Sequence, residues 1–201
     1  MLNNNEYNVI AAGCDEVGRG CLAGPVVTAA VILPNDYNHV PLKDSKQLTA
    51  KQRIILDKII REEAIDWAIG FATPEEFDKI NILKASFLAM HRAIDKLTVT
   101  PDTLLIDGKH FKAYPGINHQ CIVKGDQKVS CIAAASVIAK VYRDKYMQEL
   151  AIEVTGYRWE VNMGYPTLSH RKAIHELGIT SHHRKTFHHV AEKINPTLWT
   201  Y

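Results

Sequence analysis

Apolar residues fall into two patterns along the chain, continuous runs of strand length and stripes spaced by three or four. Their alternation predicts an α/β protein. Runs rich in Val, Ile or aromatic residues occupy 8–14, 25–33 and 65–72. Between the second and third, Thr49 is placed to cap a helix whose apolar stripe runs through Ile55, Leu56, Ile59 and Ile60. Thr73-Pro74-Glu75-Glu76 reads as a capping box with proline at the first helical position, so a short helix follows the third strand directly. Asn81 caps another helix, in which Leu83, Phe87, Met90, Ile94 and Leu97 recur on one face before Pro101 ends it.

Residues 103–106 form a buried-strand run that stops on Asp107-Gly108, which places Asp107 at the strand's C-terminal edge. Such edges carry function in α/β sheets. A fifth strand is expected at 120–124. Gly125-Asp126 then turns the chain into a long helix over 130–154, opened by the small residues Ala133-Ala134-Ala135-Ser136, which let a helix backbone lie close to a sheet. A Gly/Pro-punctuated stretch at 156–166 precedes a last helical segment at 168–177, stopped by Gly178. The expected organisation is a body over 1–155 and a C-terminal helical extension over 156–201, together forming one compact unit.

At 201 residues with 46% hydrophobic content, the chain can bury a sizeable core. The net charge of +2 is too small to imply nucleic acid by itself. Its distribution says more: Arg171, Lys172, Arg184, Lys185 and Lys193 stand against only Glu176 and Glu192 over 170–193, a basic appendage. Cys14, Cys21, Cys121 and Cys131 show no C-x-x-C pairing, which argues against a disulfide framework or zinc site. The N-terminus lacks a basic start followed by an apolar stretch, and no apolar run approaches the ~20 residues that span a bilayer. A cytoplasmic setting with no membrane association is expected.

The candidate chemistry lies in Gly13-Cys14-Asp15-Glu16-Val17-Gly18-Arg19-Gly20, where two carboxylates at a strand end precede a glycine loop carrying one guanidinium. One reading is a plain turn, with Asp15 capping backbone and Arg19 neutralising Glu16. The other is a divalent-metal site, because Mg²⁺ and Mn²⁺ take hard oxygen ligands and glycines admit a sugar-phosphate chain close to the backbone. Asp107, taken alone, is equally a turn former. Paired with Asp15 from another strand, it gives the usual arrangement of carboxylates around a divalent ion. Asp126 is a fourth candidate, with an alternative role as electrostatic complement to the long helix's N-terminus.

These residues resemble the ribonuclease HII family, the type 2 ribonucleases H. The resemblance covers Gly13 to Gly20, Ala23-Gly24-Pro25-Val26-Val27, Asp44-Ser45-Lys46, Leu105-Ile106-Asp107-Gly108 and Lys124-Gly125-Asp126. It continues through Ala133-Ala134-Ala135-Ser136 to Arg143-Asp144, Gly164-Tyr165-Pro166-Thr167 before His170, and His183-Arg184 before Phe187. It implies an RNase H-like mixed five-stranded sheet flanked by helices, and cleavage of RNA in RNA–DNA hybrids and at single ribonucleotides in duplex DNA. Asp15, Glu16, Asp107 and Asp126 fall on the family's metal-binding and catalytic carboxylates, with two Mn²⁺ or Mg²⁺ ions at turnover. Gly18, Arg19 and Gly20 fall on the loop that senses the ribose 2′-hydroxyl, and Tyr165 on the tyrosine that packs against the sugar at the RNA-to-DNA junction. Lys46 and Arg143 complete the implied substrate contacts. Cys21 departs from the family pattern, standing where proline is usual. A monomer is the family-based expectation.

Lys140 is a further candidate for steering phosphate. His170, His182, His183, His188 and His189 lack acidic or cysteine partners at ligand spacing and read as a basic, partly exposed helical face. Tyr142 and Tyr146 read as core. Three rival readings compete. The related ribonuclease HIII carries an additional N-terminal domain, for which Asp15 lies too close to Met1. A noncatalytic nucleic-acid-binding module would not group carboxylates, and a small-molecule phosphotransferase needs a glycine loop that opens a helix, whereas Gly18-Arg19-Gly20 joins two strands.

Overall fold

The structure is a computed structural model and describes residues 9–37, 42, 48–188 and 190. Five strands, β1 (Ala11–Val17), β2 (Val26–Ile32), β3 (Asp66–Ala72), β4 (Thr103–Asp107) and β5 (Asn118–Ile122), form one sheet in the order β3-β2-β1-β4-β5. The first three strands pair antiparallel, while β4 pairs parallel to both β1 and β5. The mixed sheet follows from the connections. A loop of eight residues joins β1 to β2, whereas β4 is reached through helices that carry the chain back to run beside β1.

Helices α1 (Ala50–Glu63), α2 (Pro74–Ile80), α3 (Ile82–Ile94) and α4 (Ser130–Glu153) cover the sheet, and α5 (Trp159–Asn162) and α6 (Leu168–Leu177) follow. Every residue of β2 is buried, as its continuous apolar run requires of a strand covered on both faces. The small-residue half of α4 lies directly on the central strands: a Cβ added to Gly13 would come within 2.3 Å of the Cys131 backbone. Glycine at 13 and alanine at 133–135 therefore set the distance between helix and sheet. On the opposite side Ala12, Cys14, Leu104 and Ile106 pack with Met90, Ala93 and Ile94 of α3.

The helix starts behave as the sequence predicts. Thr49 and Thr73 each accept from the backbone three residues on and close full capping boxes with Gln52 and Glu76. Asn81 caps α3 from a left-handed position. The strands differ in extent. Ladder pairing carries β1 through Val17, opposite Val27, so Asp15 and Glu16 lie within the strand rather than beyond it. The last strand starts at Asn118 and ends before Lys124, whose left-handed backbone turns the chain into a short 3-10 turn at Gly125–Gln127. Of the two tyrosines expected in the core, Tyr146 packs half-buried against the cluster around Met147 and Leu150, whereas Tyr142 is exposed.

The chain beyond 156 builds a further core on the distal half of α4. Tyr157, Trp159, Ala173, Ile174 and Val190 pack with Met147 and Leu150, and with Leu22 and Ala23 from the β1–β2 loop. Trp159 is fully buried there, stacked on Tyr157. The extension is thereby built into the loop that follows the first two carboxylates. No helix among the described residues is long and apolar enough to cross a membrane. All four cysteines are free thiols.

Candidate active site

Strand register brings the carboxylates together. In the parallel β1–β4 pair Cys14 lies beside Ile106, and both point into the α3 layer. Side chains alternate along a strand, so Asp15 and Asp107, one residue further on, both face the α4 side at adjacent strand ends. There Ser136 of α4 hydrogen-bonds Asp15, and the Glu16 backbone N–H donates to Asp15 Oδ1 at 2.7 Å. Asp107 is oriented by the Gly125 N–H, which donates to its Oδ1 at 2.7 Å. Glu16 accepts from Arg19 Nη1 at 2.9 Å, with the arginine half-exposed.

Electrostatic crowding follows. Burial, and then the neighbouring Glu16 and Asp107 charges, push Asp15 well above the usual carboxylate range, against the hydrogen bonds from Ser136 and the Glu16 amide. Glu16 is also raised by burial, and Arg19 opposes this. Among the described residues, no three His, Cys, Asp or Glu side chains are grouped tightly enough to hold a metal ion by themselves. The donor set nevertheless fits a hard divalent cation. Its ligands are carboxylate oxygens, their mutual repulsion falls when a cation enters, and Mg²⁺-type ions commonly take only one or two protein carboxylates, with substrate phosphate and water supplying the rest.

Asp15, Glu16 and Asp107 open onto one cleft of about 420 Å³, whose wall also includes Gly18, Arg19, Gly20, Ser136, Lys140 and Tyr165. Eight of the residues singled out from the sequence thus meet there: Asp15, Glu16, Gly18, Arg19, Gly20, Asp107, Lys140 and Tyr165. Asp126 does not line the cleft. It is buried on the 3-10 turn, next to the Gly125 that holds Asp107. Lys46 lies outside the described residues.

Arg143, expected at the substrate, is instead fully buried beneath the glycine loop. Its guanidinium donates to the carbonyls of Pro25 (3.0 Å), Ala23 (3.0 Å) and Met163 (2.8 Å). Gly18, at φ +92°, lies so close that an added Cβ would be 2.3 Å from Arg143 Nε, so both backbone conformation and space require glycine there. Arg184 is buried as a second clamp, donating to the carbonyls of Gly24 and, through Nη1 at 2.9 Å, Arg19. Burial lowers it to about 10. The loop is therefore held from below by two guanidinium groups.

The expected histidine face is also different. His170 and His183 are buried, not partly exposed, because they pair with each other and with Trp159 inside the C-terminal core. His182 is half-buried and His188 exposed, and the side chain of His189 lies outside the described residues. Two cleft residues escaped sequence reasoning. Arg53 comes from the first turn of α1 and meets Asp144 at 3.7 Å, a placement only the fold creates. Ser136 carried a signal, as the one polar residue ending a run of alanines on the helix that faces the sheet.

The chain matches the family model described as "Ribonuclease HII" over residues 12–191. It is 60% identical to the ribonuclease HII of Parabacteroides distasonis over 96% of this chain and 98% of the relative, and 58% identical to that of Bacteroides thetaiotaomicron over 90% of each. Among solved structures it resembles the ribonuclease H2 of Pyrococcus horikoshii OT3, with a TM-score of 0.76 and 25% identity over 91% of this chain and 96% of that one. It shares the fold of Bst-RNase HIII in complex with Mn²⁺, with a TM-score of 0.69 and 18% identity over 95% of this chain and 71% of that one. Sequence and fold agree over nearly the whole length: the chain belongs to the ribonuclease HII family of enzymes.

Proposed function

We propose that the protein is an endoribonuclease that hydrolyses the RNA strand of RNA–DNA hybrids and cuts on the 5′ side of single ribonucleotides in duplex DNA, leaving 3′-hydroxyl and 5′-phosphate ends. One observation carries the reading: Asp15 and Asp107 emerge side by side from adjacent parallel strands into the same cleft as the glycine loop and Tyr165. A phosphodiester laid across the carboxylates would have its sugar against Gly18–Gly20. Duplex shape and the 2′-hydroxyl distinguish RNA from DNA without base readout, which suits a wall made of backbone, one arginine and one tyrosine.

Asp15, Glu16, Asp107 and Asp126 would hold two Mn²⁺ or Mg²⁺ ions, Asp126 from the turn whose Gly125 amide holds Asp107. When bound, such ions supply charge stabilisation for the attacking and leaving oxygens of an in-line displacement. Ser136 and the Glu16 and Gly125 amides fix the carboxylate rotamers. Arg19, Arg53 and Lys140 draw the phosphate backbone into the cleft. Cys21 leaves this machinery intact and contacts the Tyr165 hydroxyl from within the loop. The protein would work as a monomer in the cytoplasm, with the segment from 156 onward serving substrate binding.

The test is a duplex carrying one ribonucleotide, incubated with the protein with and without Mg²⁺ or Mn²⁺, beside an all-DNA duplex. Cutting at the ribonucleotide that chelator abolishes is expected. Equal cutting of both duplexes, or cutting indifferent to chelator, would sink the reading.

A further inference from the structure

Four polar contacts of the C-terminal core form one ordered chain that ends at the active-site tyrosine. Thr180 donates through its backbone N–H to His183 Nδ1 at 3.0 Å, so this nitrogen is an acceptor and the proton resides on His183 Nε2. That Nε2 faces His170 Nε2 at 3.3 Å. His170 Nε2 also accepts from the indole N–H of Trp159 at 2.9 Å, so the His170 proton resides on Nδ1. From there it is donated to the Tyr165 carbonyl at 2.9 Å. Each ring then has a single consistent tautomer, with the Trp159 indole N–H and His183 Nε2–H sharing the one lone pair of His170 Nε2.

The far ends of this series meet the cleft at two points. Tyr165 presents its ring to the cleft wall beside Lys140. Its neighbour Gly164 accepts from the Leu22 N–H at 2.7 Å, joining the tyrosine turn to the glycine loop. On the other side, His183 is bridged to Ala23, and the adjacent Arg184 clamps Arg19 and Gly24. Burial holds both rings neutral, with His183 lowered to about 3 by desolvation and then by its neighbours His170 and His182. Neutral rings are what the tautomer chain requires, since a proton on His170 Nε2 would meet two donors.

We infer that His170 and His183 are a positioning pair that sets the Tyr165 backbone against the glycine loop, and so tune preference for a ribose-to-deoxyribose junction over a uniform RNA–DNA hybrid. The inference rests on the proposed function and on the place at the junction sugar that the family resemblance implies for Tyr165. The two residues touch no substrate and act only through Tyr165 and the loop.

His170→Phe keeps an aromatic ring and removes all three hydrogen bonds of the side chain, to Tyr165, Trp159 and His183. His170→Asn keeps an N–H at the position of Nδ1 and with it the bond to Tyr165. The ratio of kcat/KM on a duplex with one embedded ribonucleotide to that on a uniform hybrid should fall about tenfold in His170→Phe, the scale of one lost hydrogen bond, and recover in His170→Asn. In a Tyr165→Ala background His170→Phe should leave the ratio unchanged. Equal ratios in the wild type and His170→Phe, or a loss in His170→Asn as large as in His170→Phe, would overturn the inference. Nitrogen NMR of the wild-type histidines is a check independent of turnover and of variant folding: Nδ1–H for His170 with Nε2–H for His183 supports the pair, and the reverse tautomers overturn it. A wild type that cuts neither substrate would instead overturn the proposed function itself.

Discussion

Asp15 is buried among like charges, and its hydrogen bonds from Ser136 and the Glu16 amide only partly offset that cost. An isosteric neutral side chain should relieve the strain. Asp15→Asn is therefore expected to raise the melting temperature of the ion-free protein by a few degrees while abolishing the further gain on adding Mn²⁺; calorimetry with and without the ion measures both, and an unchanged Mn²⁺ response would remove Asp15 from the ligand set. Asp107 is less deeply embedded and is aimed by the Gly125 amide. Asp107→Asn should cut turnover by several orders of magnitude with hybrid affinity within a few-fold, as single-turnover kinetics beside a binding titration would reveal. Arg19 is half-exposed and pairs with Glu16, so Arg19→Ala should erode discrimination for ribonucleotides more than it erodes the chemical step.

At the scale of elements, legibility followed locality. Thr49, Thr73 and Asn81 could be read as caps because a cap is a contact within four residues. Asp15 and Asp107 could be paired because apolar runs ending in acidic residues mark strand edges. Arg143 could not be read as a clamp: its partners Ala23 and Pro25 lie about 120 residues away, and an arginine mid-helix carries no local sign that carbonyls will surround it. The same holds for His170 and His183, which look like surface polar residues until α5 brings Trp159 against both. Their burial has a pH signature. A histidine held neutral in the fold but titrating near its ordinary value when unfolded takes up more protons in the unfolded state, so stability is full above about pH 6.5 and declines as pH falls toward about 3. Denaturant midpoints between pH 7 and 4 should fall more steeply in the wild type than in His183→Gln; parallel slopes would mean that His183 is not the group responsible.

For the whole molecule, the proposed function makes substrate binding in the active-site cleft a sum of scattered cations. Arg53 from α1, Lys140 from α4 and Arg19 from the loop line one groove, and the extension adds the exposed Arg171, Lys172 and Lys185. Because displaced counterions set the salt dependence, neutralising Arg53 or Lys140 should lower the slope of log affinity against log salt by about one each, whatever the sequence of the hybrid. A slope unaltered in both variants would move the groove elsewhere. The basic appendage was legible from composition, but its inner half was not: Arg184 counted as a surface charge in the sequence, yet it is wholly enclosed.

Arg184 reaches back across 165 residues to the carbonyl of Arg19. During synthesis the sheet and its carboxylates can assemble once β5 and α4 have emerged, long before that guanidinium leaves the ribosome. A nascent chain would thus pass through a stage in which the acidic groups are in place but the loop is fastened by Arg143 alone. On the proposed function, discrimination would be completed last, with the final fifth of the chain.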